Sequence, residues 1–177
     1  MNLYFVKPDL TYFEQYSELY KEWQTESEHI NPWFFKTQCE TIEDFTDFIQ
    51  ILDNYEKANV DKQYASQTSY FVVDENDKLI GGASIRHYLT TDGYNYGGHI
   101  GYGVRPSERR KGYGTKILKL ALDETKALKI YKILLVALET NIGSNKVIQN
   151  CGGIFENQIK DSDNSIINRY WIEIPKK

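Results

Sequence analysis

The residues best suited to chemistry lie between Val104 and Thr115, in a stretch that reads VRPSERRKGYGT. Three basic side chains precede two glycines that are one residue apart, Gly112 and Gly114. The first N–H groups of a helix have no partner within the helix, so a helix start attracts anions, and basic side chains add to the attraction. Glycine lets the main chain approach a ligand more closely than a Cβ would allow. The stretch therefore predicts a site that holds a pyrophosphate.

The elements on either side of this stretch would present it to a ligand. A continuous β-like run from His99 to Val104 leads into it, and an amphipathic helix is predicted over residues 113–128. Residues 132–138 (KILLVAL) form an unbroken apolar run, which is typical of a strand buried on both faces. Strand, helix and strand make a βαβ unit, whose crossover is expected to be right-handed. The pyrophosphate site would lie where the first strand of this unit turns into the helix.

The rest of the chain predicts a mixed α/β architecture in a single domain over residues 1–177. Asp9 is predicted to cap a first helix, and Thr41 with Asp44 to open a second one as a capping box. The adjacent aromatic residues 33–35 are predicted to fold onto the core. Further strands are predicted at residues 3–6, 69–73, 79–88 and 94–104, and a short helix at 143–150 precedes two closing strands.

Charge and composition exclude several classes of partner. The 177 residues carry a formal net charge of −4 with a pI near 5.4, which argues against a nucleic-acid-binding protein. No apolar run approaches the ~20 residues that span a bilayer, and the first residues show no secretory signal. Cys39 and Cys151 match no metal-binding spacing. We therefore expect a cytoplasmic protein with no metal ion and no nucleic-acid or membrane partner.

Two common nucleotide-binding motifs do not fit the glycine stretch. A P-loop requires GxxxxGK[ST], and no Lys-Ser or Lys-Thr pair follows these glycines. A dinucleotide-binding fingerprint requires GxGxxG in an early βαβ unit with an acidic residue downstream, and the order of elements here is different. The spacing that is present is Arg-x-x-Gly-x-Gly, preceded by Val-x-Pro. Both motifs are excluded.

This combination of residues resembles the GNAT superfamily of acetyl-CoA-dependent N-acyltransferases. The diagnostic segment of that family is [Q/R]-x-x-G-x-[G/A] after a strand that often ends in V-x-P. In this chain its positions are Val104, Pro106, Arg109, Gly112 and Gly114. The close resemblance covers residues 94–155. Within it, residues 99–115 (HIGYGVRPSERRKGYGT) are similar in sequence to a branch of uncharacterised bacterial members. It implies the GNAT fold, a mixed and mostly antiparallel sheet that is splayed between two parallel central strands, with helices on both faces.

The resemblance implies that acetyl-CoA is the co-substrate. Its pyrophosphate would contact the backbone amides and basic side chains of Arg109, Arg110, Lys111, Gly112, Tyr113, Gly114 and Thr115. The backbone of Val104 would pair with the pantetheine arm and polarise the thioester carbonyl. Asn141 and Ser144 match the family's Asn-x-x-Ser element and would bind the pantetheine or position the acceptor. Asn141 is alternatively a helix N-cap, and one side chain can serve both purposes.

The groups that would move protons are less well defined. Many relatives place a Tyr seven residues after the Asn as the general acid, and this chain has Ile148 there. Tyr102, which shares a strand face with Val104, and Cys151 are the alternative acids. The family's base often lies at positions that correspond to Gly98 and Ile100, which cannot titrate.

Three histidines remain as further candidates. His99 lies between the two positions where the family's base is often found, and it is our candidate base, with His87 on the neighbouring strand as a weaker alternative. Glu28 and His29 follow the first helix, and the resemblance makes them candidates for the lining of the acceptor entrance, with an ordinary surface position as the alternative. The base and the acid therefore stay open at this point.

The resemblance implies an N-acetyltransferase that acts on the primary amine of a small molecule or a peptide. Residues 1–60 contain four Lys and twelve Asp or Glu, a net charge of −8, which favours a cationic acceptor. The unusual residue at position 148 favours the alternative of a non-catalytic module that binds or senses acyl-CoA. A site for another phosphate ligand is a third alternative. The oligomeric state stays open, with a homodimer among the alternatives.

Overall fold

The elements of the fold follow from a computed structural model, which describes residues 2–25, 30–57 and 65–176. Glu28 and His29, the candidates for the lining of the acceptor entrance, lie outside these residues. The strands are β1 (Leu3–Val6), β2 (Gln67–Asp74), β3 (Leu79–Arg86), β4 (Ile100–Val104), β5 (Lys132–Leu138), β6 (Ile154–Lys160) and β7 (Ile166–Glu173). The helices are α1 (Phe13–Gln24), α2 (Ile42–Lys57), α3 (Tyr113–Ala127) and α4 (Ile142–Asn150). Within the described residues, no helix is long and apolar enough to cross a membrane.

The strands form two antiparallel sheets that meet at a gap. The first sheet has the order β1-β2-β3-β4 and the second has the order β5-β7-β6, so β4 and β5 are edge strands that face each other. One core spans both sheets beneath α3 and α4. A second core lies on the opposite face of the first sheet, beneath α1 and α2. The predicted mixed α/β fold with helices on both faces is confirmed.

Several local predictions are also confirmed. The carboxylate of Asp9 accepts a hydrogen bond of 2.8 Å from the N–H of Thr11 at the first helical turn. Thr41 and Asp44 form the reciprocal bonds of a capping box, at 2.9 and 3.1 Å. Residues 33–36 form a short 3₁₀ helix whose Phe34 and Phe35 are fully buried in the second core. These features depend on neighbouring residues, which explains why the sequence predicts them.

The strand predicted from residue 94 is wrong in its first part. Residues Gly93–Gly97 form a π-helical turn, and β4 begins only at Ile100. The guanidinium of Arg86 donates hydrogen bonds to the carbonyl oxygens of Gly97 and Gly98, at 3.2 and 2.8 Å, which holds the turn against β3. Gly98 ends the turn with a φ of +66°, a conformation that glycine adopts without strain. Tyrosines at alternate positions of this segment gave the sequence pattern of a strand, which explains the wrong prediction.

His99 joins the two sheets where the gap between them begins. Its N–H donates to the carbonyl oxygen of Leu134 on β5 at 2.7 Å, and its Nδ1 accepts from the N–H of Leu134 at 2.9 Å. The residue is buried, and burial lowers the pKa of His99 to about 4. The ring is therefore neutral and engaged with the backbone. This geometry supports a structural role for His99 instead of the predicted role as base.

We expect His99 to make the folded protein less stable as the pH falls from about 6.5 to about 4. In this window the imidazole binds a proton in the unfolded chain but not in the folded one, so acidification favours unfolding. The difference amounts to ~3 kcal/mol across the window. His99→Asn keeps an oxygen that can accept from Leu134 but cannot titrate, and its stability should depend less on pH. Urea unfolding at several pH values in this range gives the free energy of unfolding of the wild type and of His99→Asn. An equal dependence of this free energy on pH in both proteins would contradict the prediction.

Candidate active site

The first turn of α3 has the geometry of an anion site. Gly112 is the N-cap residue, so the position that usually carries a capping side chain has none. Its φ is +80°, and a Cβ at this position would have no atom within 4 Å. Arg110, two residues earlier, also has a positive φ of 62°. The turn therefore presents the start of α3 to open space, and a phosphate group fits the place that a side chain at residue 112 would fill.

The basic side chains of this turn differ in their contacts with other residues of the protein. The Nε of Arg109 donates to the carbonyl oxygen of Val104 at 3.3 Å, and its guanidinium lies over the ring of Trp23. The ammonium of Lys111 pairs with the buried carboxylate of Glu108 at 2.7 Å. Arg110 is exposed. The backbone is thus the larger part of the predicted phosphate site, with these side chains around it.

Three further ion pairs hold the turn in place, and sequence reasoning missed all of them. Arg105 is buried, and its guanidinium donates to Glu22 at 2.7 Å and to Glu18 at 3.1 Å, both on α1. Glu108 binds Lys78 from the β2–β3 turn as well as Lys111, and these hydrogen bonds lower the pKa of the Glu108 carboxyl. No local signal in the sequence identifies these partners, because they lie 30 or more residues away along the chain.

The backbone of β4 directs N–H groups into the gap between the sheets. The N–H of Arg105 donates to the carbonyl oxygen of Ile80 on β3 at 2.8 Å. Alternate residues of a strand direct their N–H groups to opposite sides, so Tyr102 and Val104 direct theirs away from β3 and towards β5. Since β4 and β5 are not paired with each other, this row of polar groups can pair with an extended ligand.

The side chain of Tyr102 reaches across the gap to α4. Its hydroxyl lies 3.1 Å from the Oγ of Ser144. Burial raises the pKa of the Tyr102 hydroxyl to about 12, so it carries its proton at neutral pH. Cys151 lies nearby with its Sγ 3.8 Å from the carbonyl oxygen of Thr115, and burial raises the pKa of this thiol too. Of the two predicted acids, Tyr102 has a hydroxyl partner on the helix that closes the gap.

The start of α4 is fixed by two asparagines. The Oδ1 of Asn141 accepts from the N–H of Ser144 at 2.9 Å, so the capping alternative for Asn141 is observed. The side chain of Asn145 donates to the carbonyl oxygens of Leu138 and Asn141, both at 2.8 Å. Its Oδ1 accepts from Asn168 and Tyr170 on β7. Asn145 was missed in the sequence, where a polar residue inside a helix carries no distinct signal.

The remaining candidates have no contact with the gap among the described interactions. Ile148 is fully buried in the core beneath α3 and α4. The ring of His87 bonds to the hydroxyls of Ser66 and Thr68, at 3.1 and 2.8 Å, at the far end of β2. Among the described residues, no group of three or more His, Cys, Asp or Glu side chains is arranged to hold a metal ion. Among the described candidates, Tyr102, Ser144 and Cys151 therefore remain as the side chains close to the gap.

Comparison with known proteins identifies the class that this fold and gap define. Residues 14–152 match the sequence model of the acetyltransferase (GNAT) family. The chain therefore belongs to the GNAT family of acetyltransferases, whose co-substrate is acetyl-CoA. The predicted family and co-substrate are confirmed. Among curated proteins, no sequence matches the chain.

Solved structures of other GNAT proteins share the fold at low sequence identity. The dodecameric spermidine N-acetyltransferase from Vibrio cholerae is 16% identical, with a TM-score of 0.67 over 97% of this chain and 94% of that one. The microcin C7 self-immunity acetyltransferase, solved with acetyl-CoA and AMP, is 20% identical, with a TM-score of 0.69 over 98% and 93%. An acetyltransferase from Salmonella typhimurium, solved with acetyl-CoA, is 16% identical, with a TM-score of 0.65 over 100% and 96%.

Proposed function

We propose that this protein transfers the acetyl group of acetyl-CoA to a primary amine by direct attack. The proposal depends on one observation: the first turn of α3 and the unpaired edge of β4 both face the gap between the sheets. The first turn of α3 presents an anion site, and the unpaired edge of β4 leads from it along the gap to Tyr102. The pyrophosphate would bind the turn, and the pantetheine would lie along β4. This arrangement would bring the thioester to the hydroxyl of Tyr102.

The proposed reaction assigns a role to each group in the gap. The neutral amine nitrogen attacks the thioester carbonyl carbon, the C–N bond forms, and the C–S bond breaks. The N–H group of Val104 would stabilise the negative charge that develops on the carbonyl oxygen. The hydroxyl of Tyr102 would give its proton to the departing thiolate, with Ser144 orienting it. The proton that the amine releases would pass to water and restore the tyrosine.

The alternative is a module that binds acyl-CoA without transferring the acyl group. The observation that favours it is Ile148, buried where many relatives carry a tyrosine. Release of free CoA thiol, measured with acetyl-CoA and a broad panel of amines, separates the two functions. Turnover with any amine supports the transferase. Micromolar binding of acetyl-CoA by calorimetry, together with no turnover on the whole panel, would support the sensor instead.

We expect cationic amines such as spermidine to be better acceptors than neutral or acidic amines. The cationic preference rests on the acidic first third of the chain, whose helices α1 and α2 lie on the face of the sheet opposite α3. One relative of similar fold acts on spermidine, which supports the inclusion of polyamines in the panel. The ratio of kcat/KM for spermidine to that for a neutral primary amine should exceed tenfold and should fall as salt is added. Best turnover with a neutral or acidic amine would contradict this expectation.

A further inference from the structure

A side chain of α1 holds the segment that joins β4 to α3. One carboxylate oxygen of Glu22 accepts from the Nε of Arg105 at 2.7 Å, and the other accepts from the backbone N–H of Ser107 at 3.2 Å. Arg105 is 7% exposed, and a guanidinium buried to this extent costs free energy unless it is paired. Glu22 therefore fixes both a buried side chain and a backbone donor of this segment.

The segment that Glu22 holds lies between the two parts of the proposed acetyl-CoA site. Val104, whose N–H is proposed to bind the thioester carbonyl, immediately precedes Arg105. Residues 106–108 then form a short 3₁₀ helix, and Gly112 follows as the N-cap of α3. The position of this 3₁₀ helix therefore determines how far the N–H of Val104 lies from the turn at Gly112.

The negative charge of Glu22 does not suit a direct role in binding phosphate. A carboxylate repels a phosphate group, and the positive charge of Arg105 would attract phosphate more strongly if Glu22 were absent. Burial raises the pKa of the Glu22 carboxyl, but the hydrogen bonds from Arg105 and Ser107 outweigh burial and lower its pKa overall. Both oxygens are engaged with the segment, so the value of this carboxylate near the turn lies in its geometry.

We infer that Glu22 is a positioning residue for acetyl-CoA, which sets the separation between the N–H of Val104 and the pyrophosphate turn at Gly112. The inference rests on the proposed function, which assigns these two binding groups. A ligand that spans two groups gains affinity from both only when their separation matches its own length. Loss of the contacts of Glu22 should therefore weaken binding of the whole ligand more than binding of either part.

The first test measures the dissociation constant of acetyl-CoA by calorimetry, with no amine present. Glu22→Ala should raise this constant about tenfold, as expected when hydrogen bonds to a charged group no longer hold the segment. Coulomb attraction alone predicts the opposite sign, because the substitution removes a negative charge near the phosphates. A dissociation constant equal to or lower than that of the wild type would overturn the inference.

Two control variants separate this role from charge and from stability. Glu18→Ala removes an equal charge from α1 and one bond to Arg105 but leaves the bond to Ser107, so the dissociation constant should change less than about threefold. Asp9→Ala removes the cap of the 3₁₀ turn that leads into α1, and it should lower the melting temperature without weakening acetyl-CoA. If Asp9→Ala weakens acetyl-CoA as much as Glu22→Ala does, the effect is one of stability and the inference is wrong.

A conservative variant covers the case in which Glu22→Ala does not fold. Glu22→Gln keeps one acceptor oxygen for the segment and loses the other, together with the charge. Its dissociation constant for acetyl-CoA should lie between those of the wild type and Glu22→Ala. Binding by Glu22→Gln as tight as that of the wild type, or tighter, would contradict the inference.

The second test divides acetyl-CoA into its two binding parts. S-acetylpantetheine has the thioester without the pyrophosphate, and ADP has the pyrophosphate without the thioester. By nuclear magnetic resonance titration, Glu22→Ala should change the affinity for either fragment less than about threefold, whereas Gly112→Val should weaken ADP as well as acetyl-CoA.

The fragments also show whether Glu22 acts on the separation or on the turn alone. A loss of ADP affinity in Glu22→Ala as large as the loss for acetyl-CoA would place the whole effect in the turn and would overturn the inference. If the wild type binds acetyl-CoA but turns over no amine, the proposed function fails. The same binding measurements still decide the role of Glu22 in that case.

Discussion

Gly112→Val should weaken acetyl-CoA binding about 100-fold or more. The side chain at this position would occupy the open space in front of the first turn of α3, where the pyrophosphate is proposed to bind. Each lost hydrogen bond between a backbone amide and a charged phosphate costs ~1.5–3 kcal/mol, and the loss of two accounts for a change of this size. Calorimetric titration with acetyl-CoA measures the dissociation constant directly.

Gly152→Val is the matched control for this substitution. Gly152 also has a positive φ, +92°, and a Cβ there would likewise have no atom within 4 Å. Both variants therefore carry the backbone strain of a branched residue in the left-handed region, ~1–3 kcal/mol, and should lower the melting temperature by similar amounts. Only Gly112→Val should lose the ligand. Binding by Gly112→Val within about threefold of the wild type would show that this turn does not hold the pyrophosphate.

Tyr102→Phe should lower kcat about 100-fold with little change in the affinity for acetyl-CoA. The substitution removes the proton donor proposed for the thiolate, and general acids contribute roughly 10²- to 10⁴-fold. Because burial raises the pKa of Tyr102 to about 12, the wild-type kcat should show no falling limb from this group between neutral pH and about pH 10. Initial rates of thiol release across that range measure both quantities.

Tyr70→Phe provides the control for the loss of a buried hydroxyl. Tyr70 packs against the same core, its hydroxyl donates to Glu124, and burial raises its pKa to about 12 as well. It lies on β2 and should be dispensable for turnover. Ser144→Ala should lower kcat less than Tyr102→Phe does, because Ser144 is proposed only to orient the hydroxyl of Tyr102. If Tyr102→Phe retains wild-type kcat while Cys151→Ala loses it, the acid is the thiol.

The first of these predictions rests on a feature that the sequence alone reveals. The turn before α3 is encoded by consecutive residues, because the glycine at position 112 supplies the left-handed conformation and the basic residues beside it supply charge. The helix starts at Asp9 and Thr41 are encoded in the same local way. Short-range backbone rules decide such features, so composition and spacing within a few residues were sufficient to predict them.

The roles of several polar residues depend on which surfaces meet. His99 has the residue type of a base, yet its ring pairs with the backbone of Leu134 and joins two sheets. Lys111 has the residue type of a phosphate ligand, and it is held by Glu108. The sequence contains these groups but not their partners, since contacts between distant segments follow from the packing of strands and helices.

The sequence by itself determined the family, the co-substrate and the glycine turn before α3, because a short motif with the correct neighbouring elements specifies a local backbone shape. Only the tertiary structure decided which groups from distant segments meet around β4. It placed Tyr102 beside Ser144 and paired the ring of His99 with the backbone of Leu134 where the two sheets meet. These pairs come from segments that are far apart along the chain, and no local pattern encodes their approach.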